Sequence, residues 1–497
     1  MFSGRRKSPA TKARAKTAVA GALTVGAGVL GFGSTASAAE PTQQELLEQI
    51  KALQSKVEQL EARQDQQAEK QQGATTRPAA AQAEPEATIG SVLEDAERRS
   101  SPQFMQSGGF TAGYSKNKFL IQDEAGNFVL NPNVQFQFRH VVNFREEDTG
   151  TGSDGEGDGS VESGFEIRRL KFAFDGTLFG PALTYKFQWA TNRGNGTPVL
   201  DDAWVRWAVG NTFGEGAKDF AVRVGQFKDP TFHEEIVSSK RQLAVDRSLA
   251  NEVLAGGLTD WTQGIALIWD DGPEGRPLRA EVGFGDGWNT DNTNFVDSGG
   301  VPVYGAGSPD WGAFARLEYL AMGNWKQYDD FSTMDNTTDM LVFGVGATYS
   351  ETSGAGGGDS FLYTADVQYE AGKLGLYGAY YGAYGEPAVS STVTESSISE
   401  SGILVQAGYL LGDKWELFGR YDVLLLDDAR LAAGAEDTYS EVTIGLNYYI
   451  KGHAAKFTVD FNYLPQGTPN NQDGIGYLDP DNDEDQFAIR SQFQLLL

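Results

Sequence analysis

The sequence predicts an all-β chain, a 16-stranded antiparallel transmembrane β-barrel preceded by a short N-terminal helical coiled coil. Three observations carry that prediction. Apolar and polar residues alternate with period two in segment after segment beyond residue 110. Long and tight connections between those segments take turns on an even strand count. An export signal opens the chain, yet no later apolar run reaches the ~18 residues of a membrane-spanning helix.

Composition removes several other classes. The formal charge of −28 opposes binding of nucleic acid phosphates. There is no cysteine and there are three histidines, His140, His233 and His453, so disulfides, thiolate metal sites and a histidine-rich metal centre are not expected. The 61 glycines and 11% aromatic residues suit a turn-rich β protein and not an acidic disordered chain.

Residues 1–38 read as a signal peptide: Arg5, Arg6, Lys7, Lys12, Arg14 and Lys16, then the apolar run 17–33, then Ala36-Ser37-Ala38 before a mature start at Ala39. Losing those six of 40 basic residues leaves 34 against 68 acidic ones, a net −34. Residues 39–72 follow as a periplasmic coiled-coil helix, because Leu46, Ile50, Leu53, Val57 and Leu60 recur at 4, 3, 4, 3 spacing. A solvated single helix is the alternative. Residues 73–109 form an Ala/Pro-rich linker, and the barrel occupies 110–497.

Within it, strands are expected near 128–144, 165–178, 182–191, 199–209, 220–227, 263–271, 278–286, 312–320, 340–350, 360–369, 373–383, 402–411, 414–424, 439–450, 454–464 and 486–497. Long connections such as 145–163, 228–262, 287–311 and 465–485 face tight ones such as Phe179-Gly180-Pro181 and Lys451-Gly452-His453. The connection 321–339 breaks the pattern at 19 residues: a strand is misplaced there, or the turn carries extra structure. Tyr380, Tyr381, Tyr448, Tyr449, Tyr463, Trp189 and Trp207 near strand ends are candidates for interfacial girdles, with ordinary strand aromatics as the alternative.

The polar phase of the strands places Arg139, Arg169, Lys171, Lys186, Arg206, Arg223, Arg279, Arg316, Arg420, Lys456 and Arg490 in the lumen. Asp202, Glu281, Glu318, Asp366, Glu416, Asp422, Glu441 and Asp460 oppose them, about three charges in favour of cations. The acidic excess therefore lies in loops, chiefly 149–160 and 479–486, either as solvated segments or as bridges through divalent cations to lipid. The third long loop, 228–262, is apolar for an exposed loop (Phe232, Ile236, Val237, Leu243, Leu249, Leu254) and is expected to fold into the lumen and narrow it. It carries Lys228, Lys240, Arg241 and Arg247 beside Glu234, Glu235 and Asp246.

The stretches GNFVLNPNVQFQFR (126–139), EIRRLKFAFDGTLFG (166–180), LDDAWVRW (200–207), VRVGQFKDP with EEIVSSK and DRS (222–248), WELFGRYD (415–422) and EVTIGLNYYIKGHAAKFTVDFNYLP (441–465) resemble the phosphate-selective porin O and P family across the whole barrel. The resemblance implies a trimeric outer-membrane channel with an inward third loop and basic residues along an anion path. Arg168, Arg169, Asp201, Lys240 and Arg247 fall on its motif positions, and Lys171, Lys186, Arg206, Arg223, Glu234, Glu235 and Arg241 complete the expected pore and constriction set. One position departs from it: phosphate-selecting members place a lysine where this chain has Glu235, and a carboxylate there repels a phosphate dianion.

The expected function is passive diffusion of small solutes, phosphate or other anions by implication of the resemblance, through a homotrimer seated in outer-membrane lipid. A weakly selective or sugar and polyol channel stays open, as does a structural tether that reaches the cell wall through the coil. Enzymatic activity is not expected, since no Ser-His-Asp set emerges from the spacing. No cofactor or metal is expected.

Overall fold

In the computed structural model the described residues are 104–107, 109–115, 118–145, 161–210, 219–255, 261–270, 276–287, 309–352, 358–386, 397–429, 431, 436–469, 472–478 and 485–497. The stretches read as signal peptide and coil, almost all of that read as linker, and most of the two acidic loop stretches lie outside them.

Sixteen strands make the barrel: β4 (Val129–Arg145), β5 (Val161–Thr177), β6 (Leu183–Thr191), β7 (Pro198–Ala208), β8 (Phe220–Phe227), β9 (Thr262–Trp269), β10 (Leu278–Gly285), β11 (Trp311–Met322), β12 (Met340–Glu351), β13 (Asp359–Ala371), β14 (Leu374–Gly385), β15 (Ile398–Leu410), β16 (Trp415–Leu425), β17 (Thr438–Lys451), β18 (Ala455–Leu464) and β19 (Gln486–Leu496). Each pairs antiparallel with its neighbours in sequence, and β19 returns to β4, with Phe493 opposite Phe138, to close the ring. Closure answers every strand edge, as a membrane span requires. Every boundary lies within four residues of the expected one. Three short strands not anticipated from sequence precede the ring: β1 (Phe104–Ser107), inside the stretch read as linker, β2 (Phe110–Ser115) and β3 (Lys118–Asp123). They form a meander joined to β4 by Ile121 opposite Leu130.

Alternation sorts the faces. On β18, Phe457 and Phe461 are exposed on the outside while Lys456, Thr458, Asp460 and Asn462 are buried inside. The tyrosine doublets obey the same rule, which corrects part of the girdle: Tyr381 and Tyr449 are buried toward the lumen, and Tyr380 stays on the outer surface. Two adjacent strand residues cannot share a face without a bulge.

The lumen is filled from one side. Residues 228–255 fold inward and press Phe232, Val237, Leu243, Leu249 and Leu254 onto Leu362, Tyr377, Tyr381, Leu404, Phe418, Leu424 and Tyr439 of β13–β17. The wall is shaped for this. A Cβ at Gly346 would lie 2.4 Å from the Thr231 carbonyl oxygen and one at Gly402 would lie 3.2 Å from Ala250 Cβ, so the loop backbone runs directly over both glycines.

An irregular segment in a lumen still needs partners for its backbone. Wall carboxylates accept from loop amides, Asp460 from Val245 (2.9 Å), Glu441 from Leu249 (3.0 Å) and Asp422 from Ala250 (3.0 Å). Lys456 Nζ donates to the Gln242 carbonyl at 2.8 Å and Asn447 Nδ2 to that of Leu243 at 3.0 Å. Arg420 Nη1 donates to the Asp246 carbonyl at 2.9 Å. Residues 472–478 of the last connection also turn in, with Ile475 and Tyr477 buried in the same cluster.

The over-long connection 321–339 resolves as extra structure. A helical turn, Trp325–Tyr328, opens with a capping box between Asn324 and Gln327, and the segment rises into the barrel from the end opposite the third loop. Tyr328 stacks on His233 at 3.7 Å between ring centroids, and Ser332 Oγ donates to Glu416 at 2.9 Å. The third loop and this turn therefore meet inside the lumen.

Candidate functional site

Two bulges build the polar wall. β5 carries Arg168 and Arg169 in succession, and strict alternation would send one of them outward. Its pairing with β4 slips at this point, Gln137 facing Arg169 and Phe138 facing Ile167, so Arg168 is the extra residue and both guanidinium groups turn inward. β7 repeats the device. Gln188 faces Asp202 and Trp189 faces Leu200, which makes Asp201 the extra residue and buries both carboxylates on the inner face.

The arginine doublet closes on the third loop. Arg168 Nε and Arg169 Nη2 donate to Asp246 Oδ1 at 3.0 and 2.9 Å, and Arg139 Nη1 of β4 pairs with Oδ2. Burial would raise the Asp246 carboxyl, but Arg168, Arg139 and Arg169 override it and hold the group well below the usual carboxylate range. Asp246 is thus an anion that the loop supplies to the wall. The aspartate doublet meets lysines instead: Lys171 Nζ lies 2.6 Å from Asp201 Oδ2 and Lys186 Nζ 2.7 Å from Asp202 Oδ2.

Because the loop packs on β13–β17, the open space lies against β4–β11. It is a cavity of about 1600 Å³ lined by fifteen lysines and arginines and ten aspartates and glutamates among the described residues. Arg206 pairs with Asp270 at 3.3 Å and Arg223 with Glu281. Trp204, Phe227, Trp261 and Tyr328 give the same surface an aromatic component.

Ten of the twelve residues expected from sequence line this cavity: Arg168, Arg169, Lys171, Lys186, Arg206, Arg223, Glu235, Lys240, Arg241 and Arg247. Asp201 sits behind Lys171 and Gln188, accepting from Gln188 Nε2 at 2.9 Å. Glu234 is sealed within the loop, where it accepts from the Ser248 amide (2.9 Å), Ser248 Oγ (2.7 Å) and Tyr381 Oη (2.8 Å). Glu235 touches the cavity but is only 1% exposed. Lys228 Nζ at 2.6 Å, Arg247 Nε at 3.1 Å and Asn251 Nδ2 at 3.0 Å enclose its carboxylate, so its charge is spent on cations of its own loop. His233 is buried beside Arg316, and desolvation followed by that positive neighbour lowers it to about 3, which leaves the imidazole neutral.

Sequence reasoning did not place Trp261, Lys326 or Tyr328 at the cavity. The length of 321–339 signalled the last two, whereas nothing in the alternation marks Trp261, which lies just outside a strand.

Replacing Asp246 by Ala leaves three inward arginines without their shared anion, and loss of one partner from a buried ion pair costs about 3–5 kcal/mol. Single-channel recording should then show added open levels and flicker in place of one steady conductance, and an unchanged record would contradict the anchoring role. Burial raises the Asp229 carboxyl at the loop entrance to about 6 against opposing hydrogen bonds from Thr231. Its negative charge is present above pH 6 and lost below, so the preference for chloride over potassium should rise as pH falls from 7 to 5. Asp229→Asn should remove that step, and a step of the same size in the variant would assign it elsewhere.

A family model described as phosphate-selective porin O and P matches residues 148–495. An uncharacterized protein of Aquifex aeolicus is 25% identical over 285 residues, 56% of this chain and 65% of its own length, so the chain spans just under two thirds of that relative. Among solved structures, the anion-selective porin from Comamonas acidovorans superposes with a TM-score of 0.50 at 13% identity, over 74% of this chain and 99% of that one. Salmonella typhi OmpF in complex with daunomycin gives a TM-score of 0.47 at 14% identity, over 75% and 99%. The closed sixteen-strand ring and the span of the family match lead to one assignment: the chain belongs to the phosphate-selective porin O and P family.

Proposed function

We propose that this outer-membrane channel for passive diffusion favours small anions, phosphate among them, and favours them only moderately. The carrying observation is the charge of the open cavity, where cations outnumber carboxylates fifteen to ten although the whole chain is at −28. A charge in a confined, low-dielectric passage acts more strongly on a solute than one on an outer loop. What moderates the preference is pairing. Lys171, Lys186, Arg206, Arg223 and Lys228 each have a carboxylate partner, so a solute meets partly neutralised cations.

The enclosure of Glu235 changes the meaning of its departure from the family pattern. Its carboxylate does not confront a solute as a bare charge; it withholds Lys228 and Arg247. Assembly as a homotrimer, with residues 39–72 as a periplasmic coil, belongs to the same proposal and is supported by the heptad seam from Leu46 to Leu60.

Reversal potential in a KCl gradient tests the reading. The wild type should sit on the anion side, and Glu235→Gln should move it further toward the chloride limit by releasing two cations. Glu156→Gln in the first long loop should move it little. A cation-selective wild type, or equal shifts from both substitutions, would overturn the proposal, and a value at zero with sugar flux would favour the polyol alternative.

A further inference from the structure

The aromatic side chains of the cavity are distributed with its cations. Trp261 stands between two ammonium groups, Lys171 Nζ at 5.3 Å and Lys228 Nζ at 5.2 Å from its ring centroid. Arg223 lies over Phe227 at 4.0 Å and within 6.0 Å of the Trp204 ring. Phe227 and Trp204 belong to a small buried cluster and have a packing role as well. Trp261 belongs to none of the clusters of buried residues, is half-buried, and faces the polar cavity at the point where the third loop returns to the wall.

An inorganic oxyanion is answered by hydrogen-bond donors, the Trp261 Nε1–H among them, since that group has no partner among the described residues, but it gains nothing from the face of the indole ring. An anion with a planar ring gains both, because an ammonium has three donors and Lys171 shows, among the described residues, a single carboxylate contact, to Asp201. The ring of such a solute covers apolar surface that water otherwise wets poorly. We propose that this cavity takes aromatic carboxylates in preference to aliphatic anions of equal charge and size, with Lys171 receiving the carboxylate and Trp261 the ring. The inference rests on the channel reading above and names a solute class for it.

The test compares phthalate with cis-cyclohexane-1,2-dicarboxylate, two dianions of similar bulk, as blockers of chloride current through the full-length protein in planar bilayers. In the wild type, phthalate should reach half-block at a concentration roughly three- to tenfold lower, the advantage expected of one aromatic pair. The ratio of the two half-blocking concentrations is read within each variant, so a change in conductance does not disturb it. It should fall to about one in Trp261→Ala and be largely kept in Trp261→Phe. Equal block by both dianions in the wild type, or a ratio that survives in Trp261→Ala, overturns the proposal. Absence of any chloride current would instead overturn the channel reading on which it rests.

Discussion

Three arginines on two adjacent strands hold one carboxylate of the third loop, and the layout of the lumen depends on that contact. Asp246 reaches Arg139, Arg168 and Arg169 at once, and its own carbonyl accepts from Arg420 on the far wall. The loop is thereby fixed across the barrel. Without an internal anion those guanidinium groups would crowd one another in a poorly hydrated space, and without the arginines a buried aspartate would be expensive to keep ionised. Each side of the contact makes the other tolerable.

From that anchor the asymmetry of the channel follows. The loop's apolar residues cover β13–β17, and its backbone amides are answered by Asp422, Glu441 and Asp460. Polar groups on that half of the wall serve the loop and not the solute. The cations of β5–β8 stay against the open half, each tempered by a carboxylate one or two strands away or on the loop. The inward turn 323–339 supports the loop from the other end through His233 and Tyr328, so the constriction is assembled from both mouths of the barrel.

Most of the strand plan was legible because period two and loop length are properties of the sequence itself. Doublets were harder. Arg168-Arg169 and Asp201-Asp202 look like a break in alternation, and only the observed register slips show that each pair shares the inner face; family likeness, not periodicity, pointed to Arg168 and Asp201. The partners of Glu235 were hidden for another reason. Lys228 and Arg247 stand 7 and 12 residues from it in a loop with no period, and contacts inside such a segment are set by how it packs on the wall. The strands β1–β3 escaped because they are short and carry no long alternation.

The central claim, that the third loop lies fixed on the inner wall of the conducting channel, is most directly tested by a cross-link. The chain has no cysteine, so the double variant Ala250→Cys with Gly402→Cys introduces one defined pair. A Cβ at position 402 would lie 3.2 Å from that of residue 250, a few tenths of an ångström below ordinary disulfide spacing. The account predicts that the pair oxidises readily and that the oxidised channel conducts like its reduced form, because the bond records a contact already made. Failure to cross-link, or a current that collapses on oxidation and returns on reduction, would place the loop elsewhere during conduction.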